Sequence, residues 1–347
     1  MNKLTKVGCS ALCGSLAVIA SANAGTLTVT GGADMTWMSK DNDVTGQPLG
    51  IGSNTTLNGS GELDNGWTFS VAIANLNLQA YSSTAINLDM GGLGALNFNQ
   101  GDSGNGIQAY DDMMPTAWEE AHGAGLSTGI RGLVSGIGTS QNIQYTLPLG
   151  EVSQIAFAVA PDIGTADTSD KSTSNANEGK AGGYDITLRM NPSLGTEILS
   201  GLNMYVGAHT ATVYNNLANT DEPWQGVGAV TYSLGPVSLG HQWSFEYSGE
   251  KATNKHQSYK ANGYGVAFNV NDDLSVSYGY MEGRKETYTH SKVQRGPKDR
   301  IVEVESVQVA YTIGGASIRF ANVEANNVFY SADDNKEANI ISLGLAF

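Results

Sequence analysis

From residue 25 to the C-terminus the chain alternates apolar and polar residues with a period of two, the signature of strands that show different faces to different surroundings. Trp67, Phe69, Val71 and Ile73 share one face of their segment; Thr68, Ser70, Ala72 and Ala74 share the other. Tyr184, Ile186, Leu188 and Met190 alternate in the same way with Asp185, Thr187, Arg189 and Asn191. The last segment sets Ile341, Leu343, Leu345 and Phe347 against Ser342, Gly344 and Ala346. The pattern predicts sixteen strands, at 26–38, 52–63, 67–78, 84–90, 95–101, 140–147, 151–161, 182–192, 198–212, 224–233, 237–248, 259–269, 274–286, 300–312, 316–328 and 336–347.

A soluble sandwich alternates as well, so the composition of the polar face decides between the two. In a sandwich that face is rich in Lys, Glu and Thr; here Gly, Ala, Ser, Asn and Gln dominate. Such a face suits the inner wall of a wide aqueous barrel with an aliphatic and aromatic band outside. Trp37, Trp67, Tyr145, Trp224, Tyr232, Tyr247 and Phe347, near strand ends, are expected at the lipid headgroups. After residue 24 no apolar run approaches the ~18 residues of a membrane helix, and only helices and closed barrels satisfy every backbone group in lipid.

The connections alternate in length. Short turns at 64–66, 91–94, 148–150, 191–193, 234–236, 271–273 and 314–315 take turns with longer polar loops such as 162–181, 213–223, 249–258 and 287–299. Seven turns and eight loops join sixteen strands and put both ends of the barrel on the short-turn, periplasmic side. The expected fold is therefore all-β: a transmembrane antiparallel up-and-down barrel of about sixteen strands over 25–347, wide enough to leave an open lumen.

The first 24 residues stand apart. A basic start with Lys3 and Lys6, an apolar stretch from Val7 to Ala20, and the small residues Ala22 and Ala24 read as a signal peptide cleaved after Ala24. Cys9 and Cys13 leave with it, so the exported chain has no disulfide and relies on its hydrogen-bonded sheet. Of the 18 Lys and Arg residues, Lys3 and Lys6 also leave, and 16 then face 33 acids for a net charge of −17. That balance argues against nucleic acid as a partner and favours cations or neutral solutes. Candidate chemistry is otherwise sparse. His209, His241, His256 and His290 fall in different segments without metal-ligand spacing. Gly125-Leu126-Ser127-Thr128-Gly129 lacks the strand–turn–helix context of a nucleophile elbow. No catalytic set, resident metal or cofactor is expected.

At this point the chain resembles the general bacterial outer-membrane porins over its whole exported length. The resemblance rests on the signal peptide, the strand and turn count, the one long loop after the fifth strand, and a last strand ending in Phe347. It implies a homotrimer in the lipid of the outer membrane and passive diffusion of small polar solutes and ions, while the basic patch of Arg284, Lys285, Lys292, Arg295, Lys298 and Arg300 reads as either a solvated outer loop or a contact with lipopolysaccharide. It also implies that Phe347 is the signal read by the barrel-assembly machinery. A substrate-specific porin, or the translocator barrel of an adhesin, is the alternative reading.

The longest break in the strand pattern, Asp102 to Thr139, matches by position the family's third loop, which folds into the barrel and narrows the pore. It carries Asp102, Asp111, Asp112, Glu119 and Glu120 before its first basic residue, Arg131. Charged groups at a constriction set which ions pass, and the family opposes such acids with basic residues on the wall. The basic candidates here are Arg131, Arg189 and Arg319, a sparser set than the family's usual cluster.

Overall fold

The structure, a computed structural model, describes residues 25–39, 48–77, 82–101, 104–138, 140–150, 152–161, 180–192, 199–213, 221–249, 256–289, 292–295 and 301–347. The expected signal peptide lies outside them. Period-two alternation folds into a ring of antiparallel strands: β1 (Thr26–Met38), β2 (Leu49–Glu62), β3 (Thr68–Leu76), β4 (Ser83–Asp89), β5 (Ala95–Gln100), β6 (Asn142–Pro148), β7 (Gln154–Ala160), β8 (Lys180–Met190), β9 (Leu202–Val213), β10 (Trp224–Leu234), β11 (Val237–Tyr247), β12 (His256–Asn269), β13 (Leu274–Thr289), β14 (Lys292–Arg295), β15 (Ile301–Ile313), β16 (Ala316–Asn326) and β17 (Lys336–Ala346). Each strand pairs with its sequence neighbours, and β17 returns to β1 with Ile341 opposite Trp37. Phe347 completes the seam: its N–H donates to the Gly31 carbonyl at 2.9 Å and its carbonyl accepts the Gly31 N–H at 3.1 Å. Among the described residues no edge of the ring is left unpaired, which is the condition for a sheet to sit in lipid.

Sixteen of these strands close the barrel, because β13 pairs directly with β15 and β14 only extends their hairpin. The sequence reading placed 287–299 in a loop. Charges at Lys292 and Arg295 suggest solvent, but Thr287, Tyr288, Thr289 and Val293 are strand formers, so the ladder continues past the barrel wall. β9 starts at Leu202, four residues later than the alternation suggests, and the turn before it is correspondingly longer.

The apolar row faces outward around the ring: Ile186, Trp243, Tyr278 and Val307 are each two-fifths exposed or more. Along β15 this polarity reverses with height. Val307 and Val309 point out and Gln308 points in, but four residues nearer the outer loops Val302 and Val304 are buried inside while Glu303 and Glu305 face out. The outer carboxylates accept hydrogen bonds from the Tyr280 and Tyr278 hydroxyls, at 3.1 and 3.0 Å. The same inversion occurs in β16 and β17, where Ala321, Val323, Ala325, Ala338 and Ile340 are buried within the lumen. The cause is a change of surroundings on both faces. Above the apolar band the outside meets polar headgroups, and the inside is covered by a loop.

Candidate functional site

That loop is the segment between β5 and β6. Asp102 lies outside the described residues; from Gly104 onward the path is traced by hydrogen bonds to the wall. Asn105 Nδ2 donates to Asn97 Oδ1 at 2.9 Å and to Asn142 Oδ1 at 2.7 Å, and the Gly106 N–H to Gln144 Oε1 at 2.8 Å. The chain then crosses the barrel strand by strand. Met113 N–H meets Gln242 Oε1 of β11 at 2.9 Å, Ala117 N–H meets Ser277 Oγ of β13 at 2.8 Å, and Glu119 N–H meets Gln308 Oε1 of β15 at 2.9 Å. Every one of these acceptors occupies the strand face opposite the exposed apolar row, so the segment lies against the inner wall. Among the described residues its backbone forms no ladder of its own; the wall supplies the partners that buried N–H groups require.

Beyond Glu119 apolar packing joins the wall bonds. Ala121, Ala124 and Leu126 pack on Met281, Val302, Val304, Val323 and Ile340, with Trp118, Ile130 and Leu133 against the same cluster. The loop thus buries apolar side chains inside the barrel, here and in smaller clusters around Val227 of β10 and around Ala158 and Ala160 of β7, and this explains why the upper wall from β13 to β17 is aliphatic.

Along the outward leg, between β11 and β15, four acids come within reach of one another's charge. Asp112 and Glu119 are exposed, Asp111 and Glu120 half-buried. Burial pushes the Asp111 carboxyl up to about 7, helped by the charge of Asp112 and a hydrogen bond shared with it. Burial likewise pushes Glu120 up to about 7, with Asp112, Glu119 and Asp111 adding to the rise. Asp112 and Glu119 reach into the lumen, yet the loop and wall around them strip part of their hydration and raise both; Asp112 adds to the rise at Glu119 and Arg319 draws it partly back. The charge of Asp112 raises each of the other three, so their protonation is linked through it.

The three basic candidates do not converge opposite these acids. Arg319, pointing in from β16, stands over the Trp118 ring, 5.9 Å from its centroid, on the same side as Glu119. Arg189, on β8, lies over Tyr205 at 5.8 Å and borders a hollow near the short turns with Asp89, Asn191 and Asn203. Arg131 is on the return leg, where it pairs with Glu246 at 3.7 Å and lies over Tyr259 at 5.0 Å. From β1 through β7 no strand contains a Lys or Arg. Sequence reasoning missed the anchors: Asp185, Gln225, Gln242 and Gln308 lie on the polar face of predicted strands, but nothing local marks them as partners of a distant loop.

A closed sixteen-stranded barrel with an apolar exterior and a polar interior crossed by a loop defines an outer-membrane channel. Residues 8–346 match the model of the Gram-negative porin family, and the chain belongs to that family. No curated protein sequence matches it. Among solved structures, a porin refined at 1.8 Å is 13% identical with a TM-score of 0.65, covering 93% of this chain and 100% of its own. The anion-selective porin of Comamonas acidovorans is 11% identical with a TM-score of 0.61 and the same coverage. OmpT of Vibrio cholerae, in its trimer form, is 10% identical with a TM-score of 0.61, covering 94% of this chain and 100% of its own. At such identities the likeness is one of fold.

Proposed function

We propose that this outer-membrane channel is a diffusion porin for small hydrophilic solutes and ions, leaning toward cations. The observation that carries the reading is the charge pattern of the lumen: Asp111, Asp112, Glu119 and Glu120 gather on one loop, and the strands from β1 to β7 bring no basic residue to face them. Rings of carboxylate favour cations by the sign of their field. The fold itself does not fix that sign, since an anion-selective porin shares it. In this reading the loop from Asp102 to Thr139 is the constriction, its acidic half is Asp102, Asp111, Asp112, Glu119 and Glu120, and Arg189 and Arg319 trim the field from the wall while Arg131 stands at the loop's return.

The same reading makes the chain a homotrimer, supported by the trimeric form of a structural neighbour. It is exported through a signal peptide ending at Ala24, assembled through its terminal Phe347, and surrounded by lipid and lipopolysaccharide. The test is single-channel recording of the refolded protein in a planar bilayer under a salt gradient. Current steps in threes and a cation-leaning reversal potential are expected. Replacing Asp111, Asp112, Glu119 and Glu120 together by their amides should move that potential toward zero. An unmoved potential would refute the acidic constriction.

A further inference from the structure

The two legs of the inward loop meet on a single carboxylate. Asp185 Oδ2 accepts the Ile107 N–H at 2.8 Å on the outward leg and the Ile137 N–H at 3.3 Å on the return leg. The other oxygen, Oδ1, lies 2.6 Å from His209 Nδ1, and both side chains are 1% exposed. A carboxylate at that distance accepts, so His209 donates from Nδ1. His209 Nε2 is buried and meets no partner among the described residues, which leaves Asp185 as the polar tie that orients the ring.

Strand register explains how these groups are gathered. Asp185 of β8 stands directly opposite His209 of β9, and His209 directly opposite Gln225 of β10. Gln225 Oε1 accepts the Ser135 and Gly136 N–H groups at 2.7 and 2.9 Å. One inward side chain per strand thus forms a row that holds the neck of the loop. Gly106 and Gly136 make the approach possible. Both have positive φ, +69° and +54°, and a Cβ at either would collide with Asp185 Oδ2.

We infer that Asp185, oriented by His209, is the positioning residue that fixes the neck of the loop and so sets the aperture and ion preference of the channel. This rests on the reading of the loop as the constriction. Asp185 touches no permeating ion in this role; it acts through the backbone of Ile107 and Ile137. A charged acceptor serves better than a neutral one because it holds its donors about twice as strongly. With both legs tied at the neck, the acids farther along are held at a fixed reach from the wall.

The experiment compares Asp185→Ala, Asp185→Asn and Gly136→Ala with the unaltered full-length protein in planar bilayers, after folding is verified by heat-modifiable gel migration. Ala and Asn remove the same charge, but Asn keeps an oxygen for the two loop N–H groups. Gly136→Ala forces the loop off the carboxylate and leaves every charge in place. Asp185→Ala and Gly136→Ala should each raise single-channel conductance roughly twofold, widening the passage, and shift the reversal potential toward zero; Asp185→Asn should stay near the original on both readouts. Equal shifts for Ala and Asn, with Gly136→Ala silent, would make Asp185 a simple charge and overturn the inference. If all three variants are silent while the fourfold amide variant still moves the potential, the clamp is wrong and the acidic constriction stands. If the fourfold variant is silent too, both readings fall. Should Asp185→Ala not fold, the contrast between Gly136→Ala and Asp185→Asn still decides.

Discussion

Gln308 holds the Glu119 peptide from both ends: its Oε1 accepts the Glu119 N–H at 2.9 Å and its Nε2 donates to the Glu119 carbonyl at 2.6 Å. The same oxygen accepts the Trp118 N–H at 3.1 Å, and the side chain is 2% exposed. An exposed acid in a channel is useful only if its backbone stays put, and this amide ties it to β15. Gln308→Leu keeps the volume and strands the loop's polar groups, at a cost of about 1–3 kcal/mol. The urea midpoint of the folded protein should fall and the cation preference weaken, read from the reversal potential.

Ion preference should depend on pH near neutrality. Asp111 and Glu120 each have carboxyls raised to about 7, by burial first and by neighbouring acids second. Lowering the medium from about pH 8 to about pH 6 adds protons to groups that would ordinarily have lost them near pH 4. The lumen loses negative charge, and the cation preference should shrink over that window. The pair Asp111→Asn and Glu120→Gln should flatten the profile. Stability has the opposite sign from that of a paired carboxylate. The folded protein keeps protons that the unfolded chain releases, so these two groups cost stability as pH rises from the ordinary carboxylate range through 7.

Arg319 and Arg131 should behave differently despite equal charge. Arg319 stands over Trp118 and lowers the Glu119 carboxyl against the pull of burial. Arg319→Gln removes that counter-charge and should strengthen the cation preference, more at low salt than at high, because screening shortens the field to about 3 Å at 1 M. Arg131 sits on the return leg beside Glu246, and its charge acts on none of the four acids. Arg131→Gln should leave the reversal potential nearly unchanged. Equal shifts for the two variants would mean that distance from Glu119 does not matter.

The ring of strands was legible because each reports itself: one residue in two is apolar, and turn residues recur between strands. β1 and β11 fall within a residue of where the alternation puts them. The reversal of polarity in β15 was hidden by the same regularity. Val302, Val304, Val307 and Val309 look like one apolar row with a slip, and only the loop beneath and the headgroups outside give the slip a meaning. The loop's acids could be named from the sequence; their closeness could not. It depends on anchors such as Gln242 and Gln308, whose partners lie 129 and 189 residues away in the chain. Asp185 and His209 were visible as an inward acid and an isolated histidine, and became a pair only through the register of β8 and β9.

Ile340 and Ile341 offer a test of that reversal by two neighbours of one residue type. Ile340 is 1% exposed, inside the barrel beneath Leu126 and the return leg; Ile341 is 45% exposed, on the outer face. Ile340→Ala leaves a cavity in a dry cluster that cannot readily collapse, because the wall is a hydrogen-bonded sheet; the expected cost is about 2–5 kcal/mol. Trp118 packs against that cluster, so its fluorescence should report the loosening before the barrel unfolds. Ile341→Ala removes the same atoms, but lipid chains fill the space, so no cavity remains and the cost is smaller. Conductance noise should rise in Ile340→Ala and stay unchanged in Ile341→Ala. A larger effect on both readouts from Ile341 would mean that the aliphatic patch inside the barrel does not hold the loop, and that the wall bonds of Gln242, Ser277 and Gln308 suffice without it.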